Sequence, residues 1–137
     1  MADNAQQTRD ATLRVLERYW NAEEDDTSMF APDVVYRMMA TGEEHRGPEG
    51  IRQLLHDFYQ RSFDAIAETR NVVVGDGIAV LEAEVVGTHT GEFAGVPATG
   101  KEVRIPLVVI YEVSDDLIRA GRVYVEIPVF HRQVGAS

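Results

Sequence analysis

The second half of the chain is dominated by long runs in which apolar and polar side chains alternate. This alternation predicts β-strands over residues 68–74, 78–89, 103–113 and 122–127, because successive side chains of a strand point to opposite faces. Gly75-Asp76-Gly77 separates the first two runs and is typical of a tight hairpin turn. We therefore expect consecutive strands to pair in an antiparallel meander.

Helical signals lie in the first half of the chain. Apolar residues recur at helical spacing over residues 13–20 and again over residues 51–62. Asp3 with Gln6 suits the cap of the first helix, and Pro48 suits the first turn of the second, where a missing N–H costs nothing. Helices followed by a meander of long strands predict an α+β fold, in which a curved sheet wraps around the helices.

Length and composition favour a single domain spanning residues 1–137, because the chain is 45% hydrophobic and long enough to bury a core. A fifth strand is predicted between the two helices, over residues 34–39. No Cys is present, which rules out disulfides, thiolate chemistry and a Cys-based zinc site.

The charge of the chain argues against two classes of partner. The formal net charge is −10, and no run rich in Lys or Arg occurs, so nucleic acid and anionic membranes are not expected partners. No apolar stretch approaches the ~20 residues of a membrane span, and the first residues lack the basic and apolar regions of a signal peptide. A cytoplasmic location is the expectation.

Three motifs carry a resemblance to a known family. They are Arg122-Val-Tyr-Val-Glu126 with Arg132-Gln133-Val-Gly135 after it, the segment Gly87-Thr-His-Thr-Gly91 that continues to Lys101, and His45-Arg-Gly47-Pro-Glu-Gly50-Ile51 before a helix. Their sequences and their order along the chain resemble those of SnoaL-like polyketide cyclases. The resemblance implies the cone-shaped fold of nuclear transport factor 2 and ketosteroid isomerase, with a sheet curved around N-terminal helices and a cavity inside.

The resemblance also implies a catalytic carboxylate. Glu126 stands where these cyclases have Asp, and it shares one face of its strand with Tyr124. In an apolar cavity a carboxylate is poised to take a proton from a carbon next to a carbonyl. We therefore expect Glu126 to be the acid/base. The alternative from the alternation alone is an edge strand whose polar face is in water.

Further residues are expected to face the same cavity. Glu82 and Glu84 lie on the strand face assigned to it, or else form a solvent-facing rim; His89 positions substrate or makes a structural hydrogen bond. The other expected substrate contacts are aromatic or flexible apolar side chains, for which core packing is the alternative. They are Trp20, Tyr36, Met38, Phe58, Tyr59 and Tyr124.

No cofactor and no metal are expected. The four His residues are widely spaced, without a His-x-His or His-x-x-x-His pair, and no Gly-rich phosphate loop occurs. The expected partner is therefore a hydrophobic small molecule.

A homodimer is expected from a second apolar surface. Assigning Glu82, Glu84 and Glu126 to the cavity leaves three apolar sets on the outer face, and a patch of that breadth indicates a partner. The sets are Leu81, Ala83 and Val85; Ile105, Leu107 and Val109; and Val123, Val125 and Ile127. The alternative is that the faces are inverted and that these residues form the core against the helices.

The function predicted is a cofactor-free acid/base enzyme that acts on a hydrophobic, polyketide-like or cyclic carbonyl compound, by aldol cyclisation or a related proton transfer. Three alternatives remain open: an epoxide hydrolase, a ketosteroid-isomerase-like enzyme, and a non-catalytic small-molecule-binding module. Epoxide hydrolases of this fold need an Asp-Arg-Asp set, whereas the strand here reads Leu81-Glu-Ala-Glu-Val85.

Overall fold

Three consecutive strands of twelve or thirteen residues form the centre of the structure, a computed structural model that describes residues 2–136 and their side chains from residue 8 onward. The proposed cap by Asp3 and Gln6 lies outside the described side chains. The helices are α1 (Ala2–Trp20), α2 (Gly47–His56), which continues into a π-helical turn (Asp57–Ser62), and α3 (Ile127–Val134). The strands are β1 (Phe30–Met38), β2 (Glu44–Arg46), β3 (Phe63–Val74), β4 (Ile78–His89), β5 (Glu102–Ser114) and β6 (Leu117–Val125).

The six strands form one curved, unclosed sheet in the order β2-β1-β6-β5-β4-β3. The predicted antiparallel meander is confirmed from β3 to β6. The sheet as a whole is mixed, because β1 pairs in parallel with β6 and brings Tyr36 opposite Gly121. The α+β class and the wrapped-sheet fold are therefore confirmed, and the parallel pair is the feature that local alternation did not predict.

The turns between β3 and β4 and between β5 and β6 pass through left-handed backbone. In the β3–β4 turn, Gly75 N–H donates to the carbonyl of Ile78 at 2.7 Å, and Gly77 has φ +74°. In the β5–β6 turn, Asp115 and Asp116 have φ +53° and +61°, the conformation of the two-residue turns that match strand twist. These turns fix the register of the long strands and hence which side chains share a face.

The predicted assignment of sheet faces is wrong. Leu81, Val85, Ile105, Leu107 and Val109 are buried in the core, on the concave face that the helices cover. The inverted alternative is the one observed. Both faces of these strands carry Val and Ile, so the period alone cannot say which face is concave. The charged side chains determine the concave face, because burying them would cost free energy and they therefore lie on the solvent side.

The argument for a homodimer loses its original basis, since the apolar sets that suggested it lie inside the molecule. The dimer stays a prediction. No helix within residues 2–136 is long and apolar enough to span a membrane.

The last predicted strand ends earlier than expected. β6 stops at Val125, and Ile127 begins α3, so the predicted continuation to Ile127 is wrong. Pro128 lies in the first helical turn, where it has no hydrogen bond to lose, and Gly135 ends the helix with φ +79°. The strand therefore delivers Glu126 to a helix N-terminus instead of to the sheet face.

Candidate functional site

An apolar cavity of about 380 Å³ lies between the concave face of the sheet and helices α1 and α2. Its size is in the range of small-molecule sites. Six aromatic residues lie around it, together with Met38 and aliphatic side chains from α2 and the sheet. The aromatic residues are Tyr19, Trp20, Tyr36, Phe58, Tyr59 and Tyr111. None of the described side chains that line this cavity is charged.

The structure places five of the predicted contact residues around this cavity, namely Trp20, Tyr36, Met38, Phe58 and Tyr59. Their role in binding a substrate stays a prediction. Sequence reasoning missed two further phenols that line the same cavity. Tyr19 precedes Trp20 in the apolar stripe of the first helix, and Tyr111 shares a strand face with Ile105, Leu107 and Val109, the face predicted to lie outside.

The hydroxyl of Tyr36 is the polar group that stands out in this cavity. The residue is 2% exposed, and its hydroxyl has no hydrogen-bond partner among the described residues. Its ring makes edge contacts with Phe30 and Tyr111, at centroid distances of 6.2 and 6.4 Å. A buried hydroxyl without a partner costs free energy, so a residue of this kind is expected to have a ligand atom to meet.

The phenols around the cavity are held in their neutral form. Burial raises the pKa of Tyr36 and Tyr111 well above the ordinary value of 10.0, and it raises the pKa of Tyr19 and Tyr59 as well. The Tyr19 hydroxyl is close enough to influence the pKa of Tyr36, although the pair does not have the geometry of a hydrogen bond. At neutral pH these groups donate hydrogen bonds and do not act as bases.

A π-helical turn positions two of the aromatic residues. The helix predicted over residues 51–62 widens after His56, where Phe63 N–H donates to the carbonyl of Phe58, five residues back. Phe58 and Tyr59 lie in this turn with their rings 4.9 Å apart, and both line the cavity. Segments of this kind occur often at functional sites.

Glu126 does not lie in the cavity, and its predicted placement there is wrong. Its side chain is exposed and lines none of the described cavities. Its main chain ties strand to helix: the N–H donates to the carbonyl of Pro106 at 3.1 Å, and the carbonyl accepts from Val129 and Phe130. The physical reason is the early end of β6, which turns the backbone at Glu126 into α3.

Glu82, Glu84 and Tyr124 also lie outside the cavity, on the convex face, so their predicted placement is wrong as well. Tyr124 is 41% exposed. Asn71 donates to Glu82 at 2.6 Å. Glu84 accepts from Arg70 at 2.9 Å and from Arg104 at 2.9 Å, and these hydrogen bonds lower its pKa. Glu84 therefore forms surface ion pairs, and Glu82 a surface hydrogen bond, in place of a cavity lining.

His89 has the structural role that the sequence left as its alternative. The residue is fully buried and lines none of the described cavities. Its Nδ1 accepts the N–H of Thr99 at 3.3 Å and lies 2.9 Å from the Thr99 hydroxyl. Its ring packs edge-on against Phe130 at 4.9 Å. His89 thus holds the segment between β4 and β5 against the core.

The epoxide-hydrolase alternative has no counterpart among the described side chains around the cavity. An Asp-Arg-Asp set would need carboxylates and a guanidinium, and the described lining side chains include neither. Among residues 2–136, no group of three His, Asp or Glu side chains is arranged to hold a metal ion.

The sequence matches the model of a known protein family over most of its length. Residues 10–133 match the family model described as SnoaL-like polyketide cyclase. The sequence matches none of the curated proteins with which it was compared.

Solved structures share the fold over nearly the whole chain. TsrD from Streptomyces laurentii is 24% identical with a TM-score of 0.76, covering 94% of this chain and 98% of its own. IdmH from Streptomyces antibioticus, a proposed polyketide cyclase, is 24% identical with a TM-score of 0.71, covering 95% and 99%. A Catenulispora acidiphila protein with a ketosteroid isomerase-like fold is 15% identical with a TM-score of 0.71, covering 92% and 93%. At these identities the similarity establishes the fold.

Proposed function

Because the chain belongs to the SnoaL-like polyketide cyclase family, we propose that it is a cofactor-free enzyme that enolises a hydrophobic, polyketide-like ketone and thereby drives an aldol-type ring closure. The reaction begins when a proton leaves the carbon next to a carbonyl. The electron pair of that C–H bond forms a carbon–carbon double bond, and the carbonyl oxygen gains negative charge. The enolate carbon then attacks a second carbonyl of the same molecule.

The observation that carries this proposal is the buried hydroxyl of Tyr36, which has no hydrogen-bond partner among the described residues, beside a cavity with uncharged walls. A phenol aimed at the substrate carbonyl donates a hydrogen bond that strengthens as charge develops on the oxygen. In a cavity without water such a donor is worth far more than in solution. Because burial raises the pKa of Tyr36, the hydroxyl keeps its proton and remains a donor throughout the physiological range.

The cavity wall indicates the chemical class of the substrate. Aromatic rings and aliphatic side chains favour a flat, unsaturated or aromatic body, and the uncharged wall disfavours any ionised group at this depth. A volume of about 380 Å³ suits a compound of a few fused rings. Trp20 lies at the edge of the cavity, 37% exposed, where a bound ring system would cover it.

The proposal is tested with 2-tetralone, a ketone with two fused rings and acidic hydrogens next to the carbonyl. In D₂O, NMR follows the exchange of these hydrogens for deuterium with and without the protein. We expect the wild type to accelerate exchange over buffer. Tyr36→Phe keeps the ring and removes the donor, so the rate should fall by ~10²–10³, the usual cost of losing one such donor.

Tyr124→Phe is the matched control, because it makes the same chemical change on the convex face and should leave the rate unchanged. Binding is measured separately with 2-naphthol, a stable analogue of the enol, through the fluorescence of Trp20, the single Trp of the chain. Binding of 2-naphthol without any acceleration of exchange would contradict the enzyme proposal and establish a binding module. Equal rates for wild type and Tyr36→Phe would contradict the role of the hydroxyl.

A further inference from the structure

A second cavity, of about 590 Å³, adjoins the first. The two share five wall residues, so a ligand held in one lies next to the other. The shared residues are Met38, Leu54, Phe58, Val123 and Val125. Unlike the first cavity, the second is lined by carboxylate and imidazole side chains. They are Glu43, His45, Asp57 and Glu92.

His45 is placed beside Tyr36 by strand register. In the antiparallel pair of β1 and β2, the Cα atoms of Tyr36 and His45 are direct partners. Directly opposed residues of such a pair point to the same face, with Cβ atoms about 4.5–5.5 Å apart. The side chains of His45 and Tyr36 therefore leave neighbouring strands side by side on the concave face of the sheet, and His45 enters the second cavity next to the first.

The carboxylate of Glu43 lies beside the imidazole of His45. The Nε2 atom of the ring is 3.0 Å from Oε1 of Glu43. The imidazole makes no hydrogen bond to the other described residues, and the side chain of His45 is 22% exposed. A carboxylate at this distance stabilises the imidazolium that forms when the ring accepts a proton.

The other ionisable groups of this cavity are already engaged. Asp57 accepts from Gln53 at 2.8 Å and from Arg61 at 3.4 Å. Glu92 accepts the N–H of Gly95 at 3.0 Å. Glu43 is paired with His45 itself. Of the four ionisable side chains that line this cavity, His45 carries the imidazole, the group that serves most often as a general base in enzymes.

We propose that His45 is the catalytic base of this site and that Glu43 is its positioning residue, so that the substrate lies across the shared wall with its carbonyl oxygen on Tyr36. This inference rests on the proposed function and replaces Glu126 as the acid/base. The proton leaves the carbon next to the carbonyl for the unprotonated ring nitrogen of His45, the C–H electron pair forms the double bond of the enolate, and the oxygen accepts the Tyr36 hydrogen bond. In D₂O the imidazolium exchanges its proton with solvent and returns a deuteron to carbon.

The same exchange reaction of 2-tetralone tests the inference. His45→Gln should lower the exchange rate by ~10²–10⁴, the range expected for loss of a general base, while the affinity for 2-naphthol stays within about threefold. Glu43→Gln should lower kcat and leave KM unchanged, because Glu43 orients the imidazole without touching the substrate. His56→Gln is the matched control: His56 is also paired with a glutamate, Glu24, at 2.6 Å, but it faces a different cavity, so its rate should equal that of the wild type.

A second measurement separates a base from a structural residue. Imidazole added to His45→Ala should restore part of the exchange rate, whereas a merely structural loss would not respond. The outcomes also separate the two proposals. No exchange by the wild type overturns the proposed function. Wild-type exchange that depends on Tyr36 but persists in His45→Gln overturns the inference and leaves the function standing.

Discussion

The ring of Tyr36 lies directly against Gly121, its partner on the neighbouring parallel strand. A Cβ atom at Gly121 would come within 2.8 Å of both Cδ1 and Cε1 of this ring. The absence of a side chain at Gly121 therefore lets the phenol lie flat over the sheet and fixes the position of its hydroxyl. The position of the proposed donor depends on a residue that makes no polar contact of its own.

Gly121→Ala is expected to displace the Tyr36 ring. Overpacking of this kind should cost about 1–3 kcal/mol in the free energy of unfolding, measured by urea denaturation. The exchange rate of 2-tetralone should fall as well, because small errors in position are costly to catalysis. The control is Gly50→Ala in α2, where the nearest atom to a new Cβ lies 3.9 Å away. Equal stability and rate in the two variants would show that the ring does not depend on Gly121.

Glu126→Gln is expected to leave the exchange rate and the 2-naphthol affinity unchanged, because this exposed carboxylate lies outside both cavities. The measurement compares its kcat and KM with those of His45→Gln under identical conditions. A loss of ~10² or more in kcat at Glu126, with His45→Gln unaffected, would return the acid/base role to the family position.

Alkaline pH is expected to destabilise the protein through its buried phenols. In the unfolded chain Tyr side chains lose their protons near pH 10, whereas burial raises the pKa of Tyr36 and Tyr111 well above that value. Between these limits the folded state binds more protons, so its stability is fully present below pH 10 and is lost as pH rises toward the folded pKa values.

Each such phenol contributes a slope of up to about 1.4 kcal/mol per pH unit. Urea denaturation between pH 8 and 11.5 measures this slope. Tyr36→Phe should reduce the slope by the contribution of one phenol. A slope that is identical in Tyr36→Phe and wild type would mean that this hydroxyl ionises as readily when folded as when unfolded.

His89→Leu is expected to loosen the segment between β4 and β5 without altering the cavity. The change leaves the Thr99 N–H without its acceptor, which should cost about 1–3 kcal/mol in stability. Amide hydrogen exchange should speed up over residues 90–101, while the 2-naphthol affinity stays the same. Loss of binding at unchanged stability would instead support the substrate-positioning role.

Much of the local structure was predictable because it depends on short-range pattern. Alternation predicted β4 with its observed bounds and β5 to within one residue at each end, and the turn at Gly75–Gly77 follows from the left-handed backbone that glycine allows. The motifs around Glu126 and Gly87 identified the family, and helical spacing identified Trp20 in α1 and Phe58 after α2. The π-helical turn at Asp57–Ser62 gave no such signal, because the apolar stripe runs through it without a break.

The sequence by itself determined which residues share a strand face, since a period of two follows from backbone geometry. Only the tertiary structure decided which of those faces is concave, because Val80 and Leu81 are equally apolar neighbours and long-range packing chooses between them. It also decided the pairing of Tyr36 with Gly121 and with His45. These contacts join residues on different strands, and the free energy that brings them together belongs to the whole sheet and to no local segment.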